Sequence, residues 1–255
     1  MLNLFDSHAH LDDDKFDSDR DEIIKKIYES GVAGFVNIGC DMESSRASIA
    51  LAEKYGFIYA TVGIHPHDAK DMTEENLLEL EQLSAHDKVV AIGEIGLDYY
   101  YDNSPRDVQK YWFKRQLELA EKLDMPITIH SRDAAADTME ILKSTTARGI
   151  IHCYSGSPEM AMQYIDMGFY ISFAGPVTYK NSKNAVETAK IVPLDRILIE
   201  TDSPYLAPDG FRGKRNDSSL VRYVCEKLAE IKGITFEEMA QATYNNAKNV
   251  YRIGR

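Results

Sequence analysis

The chain of 255 residues has no long apolar run, no paired cysteines and no basic excess, and each absence narrows what it does. No uninterrupted hydrophobic stretch approaches the ~20 residues that cross a bilayer, so a membrane-spanning helix is not expected. The opening residues Met1, Leu2, Asn3, Leu4, Phe5 and Asp6 do not read as a signal peptide. Three cysteines, Cys40, Cys153 and Cys225, are scattered without a CxxC. An odd count without a framework points to reduced thiols and a cytoplasmic setting, with Cys40 and Cys153 as small buried residues near strand ends. The net charge of −12 argues against a protein that coats nucleic acid through a general basic surface. A local grip on a few phosphates stays compatible with it, and bound cations offset acidic residues that line a site. No Gly/Ser/Pro-rich linker, low-complexity tract or short repeat divides the chain, so one domain over residues 1–255 is expected.

What is present alternates. Short β-rich runs fall at residues 2–5, 33–38, 57–62, 89–92, 126–129, 149–151, 169–172 and 196–199, with helical patterns between them. Ile23, Ile24, Ile27 and Tyr28 form an apolar stripe that Gly31 ends. Ser104 is placed to cap a helix with Pro105 at its first position, and Trp112, Phe113, Gln116, Leu117 and Ala120 continue it at helical spacing. Thr235 and Glu238 fit a capping box for the last helix, with Phe236, Met239, Ala240 and Thr243 on one side. Repeated strand–helix units imply a parallel sheet, and eight of them in this length fit an α/β fold, a single (β/α)8 TIM-type barrel. An open doubly wound sheet is the rival. It calls for a glycine loop after the first strand, where this chain has Ser7-His8-Ala9-His10.

Residues two apart on a strand share a face, so His8 and His10 can offer both imidazoles to one divalent cation. In a barrel the strand ends converge on one mouth. Read in order, they carry His8 and His10, Cys40 and Asp41, His65 and His67, Glu94, His130, His152, then Glu200 and Asp202; of the seven histidines only His86 lies elsewhere. Taken singly, each has a plain structural alternative: a histidine bonded to backbone, an exposed loop acid at Glu94, a turn residue at Asp202. Four histidines and two carboxylates suit two divalent cations, and a carboxylate must bridge them. Lys88, the lysine nearest the fourth strand's end, sits at its wrong end, which leaves Glu94 as the expected bridge.

The motifs Phe5-Asp6-Ser7-His8-Ala9-His10-Leu11, Gly63-Ile64-His65-Pro66-His67, Gly93-Glu94-Ile95-Gly96-Leu97-Asp98-Tyr99, Ile129-His130-Ser131-Arg132, His152-Cys153-Tyr154-Ser155-Gly156 and Glu200-Thr201-Asp202-Ser203-Pro204-Tyr205 span the chain. Together they resemble the TatD family of metal-dependent deoxyribonucleases among the amidohydrolase-like barrels. The resemblance implies that His8, His10, Glu94 and Asp202 hold one metal and Glu94, His130 and His152 the other. It implies hydrolysis of DNA phosphodiesters, including 3′→5′ exonuclease action, with magnesium or manganese as cofactor, whereas histidine-rich ligation by itself favours zinc, manganese or iron. Residue spacing by itself says only metal-assisted hydrolysis.

In that chemistry Asp202 is either base or pure ligand, and Glu94 is the bridging carboxylate. His65 is placed to hydrogen-bond a substrate phosphate, whereas His67 is read as structural. Arg132 suits a bidentate phosphate contact, with a salt bridge to Asp133 or Asp137 as the alternative. Tyr154 and Tyr205 suit stacking on bases, with packing into the loops as the alternative. Lys180, Lys183 and the cluster Arg212, Lys214 and Arg215 form a basic patch able to follow a phosphate backbone, or a solvated loop. Asp12, Asp13 and Asp14 read as a solvated loop. DNA, as single-stranded ends, is the expected substrate, with no membrane and no obligate protein partner. Hydrolysis of an amide, lactone or small phosphoester on the same barrel is the alternative, and a non-catalytic metal-binding scaffold a further one.

Overall fold

Alternation of strand and helix runs through the whole computed structural model, which describes residues 3–254. Leu2, expected at the start of the first strand, lies outside the described residues. The strands are β1 (Leu4–Ala9), β2 (Val32–Asn37), β3 (Ile58–Val62), β4 (Val89–Asp98), β5 (Ile127–Arg132), β6 (Gly149–Ile151), β7 (Tyr170–Phe173) and β8 (Ile197–Ile199). The helices are α1 (Arg20–Glu29), α2 (Met42–Lys54), α3 (Glu74–Leu83), α4 (Arg106–Lys122), α5 (Ala135–Leu142), α6 (Pro158–Asp166), α7 (Lys183–Ile191), α8 (Val221–Lys232) and α9 (Phe236–Val250). No helix among the described residues is long and apolar enough to cross a membrane.

Two compact units divide the chain, one of Met1–Asn37 with Cys153–Arg255, the other of Ile38–His152. In the first, β1 pairs with β2 and β7 with β8, all parallel, and a parallel bridge from Ala9 to Ser203 ties β1 to the segment that follows β8. All six residues of β1 are buried. The capping box of α9 forms as expected, with Thr235 accepting from the Glu238 amide and Glu238 reaching back to Thr235. Met239, Ala240 and Thr243 are buried behind it. The α1 stripe is narrower than the sequence suggests: Ile24 and Ile27 are buried, but Tyr28 is exposed. Tyr28 stands one residue, a rotation of about 100°, beyond buried Ile27 and so off the covered face.

In the second unit β3, β4, β5 and β6 pair in sequence order, all parallel. Trp112, Phe113, Gln116, Leu117 and Ala120 bury the inner face of α4. Each large apolar side chain among them contributes ~1.5–3 kcal/mol. Ser104 does not cap α4; Pro105 occupies that position, and the Ser104 hydroxyl instead donates to the His67 carbonyl at 2.8 Å. The fourth strand also outruns its expected end at residue 92, continuing through Glu94 to Asp98 with all ten residues buried. Its reason is visible in the chain. Ile95 and Leu97 alternate with Glu94, Gly96 and Asp98, a period of two that belongs to a strand.

Candidate metal centre

In the first unit, β1 delivers His8 and His10, while the turn after β8 delivers Asp202 in a left-handed conformation (φ 55°). Asp202 Oδ1 lies 3.5 Å from His8 Nε2 and 3.4 Å from His10 Nε2, and the two nitrogens are 3.1 Å apart. Two ligands held at ~2.1 Å by one cation stand ~3.0–3.4 Å apart, depending on whether the angle is square or tetrahedral. The three atoms have the spacing of a shared coordination sphere, and their chemistry fits a divalent ion.

Asp6 holds this set in place. Its Oδ1 accepts the amides of His8 (3.2 Å) and Thr201 (2.9 Å), and its Oδ2 accepts the Thr201 hydroxyl at 2.5 Å. Complete burial pushes the carboxyl up to about 7 against the pull of those hydrogen bonds. Asp6→Ala leaves buried donors without an acceptor, and an unfolding loss of roughly 3–5 kcal/mol is expected, read from the urea midpoint. A shift under 1 kcal/mol on that scale sinks the assignment.

In the second unit, Glu94 of β4 is the centre. Its Oε1 lies 2.8 Å from His130 Nδ1, 2.8 Å from His152 Nε2 and 3.5 Å from His65 Nε2. His65, Glu94 and His130 form a donor group close enough to share a cation. His130 Nε2 faces Asp98 Oδ2 at 3.0 Å, which favours the neutral tautomer protonated at Nε2, and Nδ1 faces Glu94. Lone pairs crowded on a carboxylate oxygen repel unless a proton or cation lies among them, which is the condition a metal meets. Burial pulls the His130 imidazole down, yet hydrogen bonds to Asp98 and Glu94 outweigh it and raise its pKa. Burial, then the neighbouring His130, hold His65 well below its ordinary value.

Asp98 is the residue that sequence reading missed. Oδ2 also meets His67 Nε2 at 3.0 Å, while Oδ1 accepts the amides of Tyr100 (3.0 Å) and Tyr101 (2.9 Å). Burial pushes this carboxyl up, but the hydrogen bonds from His130, Tyr101 and His67 hold it well below the carboxylate range. Its signal was the alternation that puts Glu94, Gly96 and Asp98 on one face. From α4, Gln109 brackets the Asp98 backbone (2.9 and 3.1 Å) and Gln116 brackets Ile64 (2.8 and 3.0 Å), fixing the strand end and the His65 loop. Cys40 is half-buried, not merely filler: its thiol points at Glu94 Oε2 from 3.7 Å.

The expected substrate residues fare unevenly. His65 is buried within the donor group. Arg132 pairs with neither Asp133 nor Asp137; its guanidinium lies 4.0 Å over Tyr100 and 4.9 Å from Tyr101, while Asp137 is taken by Lys110 and Tyr99. Tyr154 corrects the stacking expectation. It is 8% exposed and donates its hydroxyl to the Ser157 carbonyl at 2.6 Å, so it packs into its loop. Tyr205 is exposed but has Lys15 over its ring at 4.1 Å and Asp13 on its hydroxyl at 2.7 Å. Arg212 is exposed and rests on Tyr179 at 4.5 Å. Arg215 leaves the basic patch, being paired with Asp19 at 2.5 Å. The acidic run is not simply solvated either: Asp12 accepts from Asn37, and Asp13 caps the turn at Lys15.

Comparison with known proteins fits this geometry. The family described as TatD related DNase matches residues 5–252. An uncharacterized metal-dependent hydrolase of Bacillus subtilis, YabD, is 50% identical, covering 98% of this chain and 99% of its own. A Pantoea vagans protein named 3′-5′ ssDNA/RNA exonuclease TatD is 33% identical, covering 98% and 100%. The crystal structure of YJJV, a TatD homologue from Escherichia coli K12, superposes with a TM-score of 0.93 at 30% identity, covering 98% of each chain. The fold is the (β/α)8 TIM-type barrel that the strand–helix alternation led us to expect. A metal-dependent hydrolase acting on ester bonds is thus the class that fold and donors define. The chain belongs to the TatD related DNase family.

Proposed function

We propose that this hydrolase cleaves DNA phosphodiester bonds from single-stranded ends in the 3′→5′ direction. The observation that carries the reading is the gathering of three imidazole nitrogens within 3.5 Å of one carboxylate oxygen, Glu94 Oε1. The nuclease name of the Pantoea relative supports the substrate class. In this reading His8, His10 and Asp202 hold one divalent cation, and Glu94, His130 and His152 hold a second. Magnesium, manganese or zinc, when bound, neutralises phosphoryl charge and acidifies water. Three cysteines that form no disulfide accord with a reducing, cytoplasmic compartment.

The chain's own residues position and move the rest. Asp202 directs Oδ1 toward two imidazoles, and its carboxylate accepts the proton of the attacking water. Asp98 fixes the tautomer and orientation of His130 by holding its Nε2–H. Buried His65 hydrogen-bonds a nonbridging phosphate oxygen, and Arg132 and Arg212 pair with backbone phosphates through their planar donor forks.

Chelation followed by titration with each cation, on end-labelled single- and double-stranded DNA, tests this reading. Hydrolysis is expected to vanish without metal and return with it, faster on single strands and shortening from the 3′ end. The folded state should also gain about 2.7 kcal/mol at a hundredfold excess of cation over its Kd, seen as a rise in Tm. Restored hydrolysis of amides or lactones with none of DNA would overturn the substrate.

A further inference from the structure

Beyond the donor group, the loop that leaves β4 holds an exposed aromatic pair that the chemistry above does not use. Tyr100 and Tyr101 are 58% and 55% exposed, and their rings meet edge-to-face with centroids 5.0 Å apart. Their neighbour Tyr99 is committed elsewhere, with its hydroxyl on Asp137 and its ring under Arg106 at 4.2 Å. Arg132 lies over Tyr100 at 4.0 Å, and among the described residues no carboxylate or carbonyl takes its N–H groups. A guanidinium held over an aromatic face by its carbon leaves its N–H donors available to a phosphate.

The platform is tied to the donor group. Asp98 grips the loop with Oδ1, through the amides of Tyr100 and Tyr101, and grips His67 and His130 with Oδ2. The Tyr101 ring also contacts His67, centroids 5.3 Å apart. One carboxylate therefore sets the aromatic pair and the candidate ligand His130 in fixed register.

We propose that Tyr100, Tyr101 and Arg132 form a nucleotide platform on which a base of single-stranded nucleic acid stacks while Arg132 holds the adjoining backbone phosphate. The inference rests on the nuclease reading and names the substrate feature it selects: an unpaired nucleotide beside the bond that is cut. Bases in a duplex are already stacked on one another and offer no free face; single strands do.

Rates on end-labelled oligo(dT) and on methyl 4-nitrophenyl phosphate, a diester without a base, test it in the metal-loaded enzyme. In the Tyr100→Ala/Tyr101→Ala variant the ratio of the two kcat/KM values is expected to shift about 10- to 100-fold against oligo(dT), mainly through KM. The Tyr100→Phe/Tyr101→Phe variant keeps the rings and should keep the ratio. An equal fall on both substrates marks a structural role and overturns the platform, as does an unchanged ratio or a change of oligomeric state in light scattering. Wild-type enzyme that cuts the small diester but no oligonucleotide overturns the nuclease reading and the platform with it.

Discussion

Glu94→Gln is expected to lower kcat/KM on DNA by about 10³-fold or more, because in the proposed reading it removes the charge that would hold the water-activating cation. Glutamine has nearly the shape of glutamate, so the substitution tests charge with little change of packing. Three imidazole nitrogens converge on Glu94 Oε1 at 2.8, 2.8 and 3.5 Å. With a neutral amide there, the group loses its negative member, and a buried cation has less to offset its desolvation. Metal content after dialysis, measured by mass spectrometry, should fall together with the rate. If Glu94→Gln retains its metal and more than a tenth of wild-type activity, this carboxylate is not the centre of the reaction.

How far the chain itself disclosed this arrangement depends on the kind of signal. Strand positions came through because short β-branched runs between amphipathic helices have few other uses; Gly149–Ile151 is placed to the residue. His8, His10 and Asp202 were marked by their place at strand ends, and in the first unit they meet. Asp98 stayed hidden because the fourth strand was expected to end at residue 92, short of the two-residue alternation that extends β4. Ser104 looked like a cap because caps are local, yet its hydroxyl is spent on a carbonyl 37 residues away in sequence. The Arg132 stack and the Arg215–Asp19 pair were equally out of reach, since a cation's partner is set by which loops fold against it. Local pattern names the donors; what orients them is decided by contacts distant in sequence.

Gly96 joins those two levels, and Gly96→Ala is expected to cost about 4 kcal/mol or more, or to leave the protein insoluble. Gly96 sits in register with His130 across β4 and β5, at φ +145°, a conformation that strains any L side chain. A Cβ there would stand 2.0 Å from the His130 carbonyl oxygen, well inside van der Waals contact with rigid backbone. Relief requires β5 to move away from β4, which separates His130 from Glu94. Any folded fraction should therefore have lost activity as well as stability. Gly56→Ala is the matched control, because a Cβ at Gly56 meets nothing within 4 Å and no left-handed backbone is involved. Its urea midpoint should stay within ±0.5 kcal/mol of wild type. Equal behaviour of the two variants would mean that close approach at Gly96 does not set the spacing of these candidate ligands.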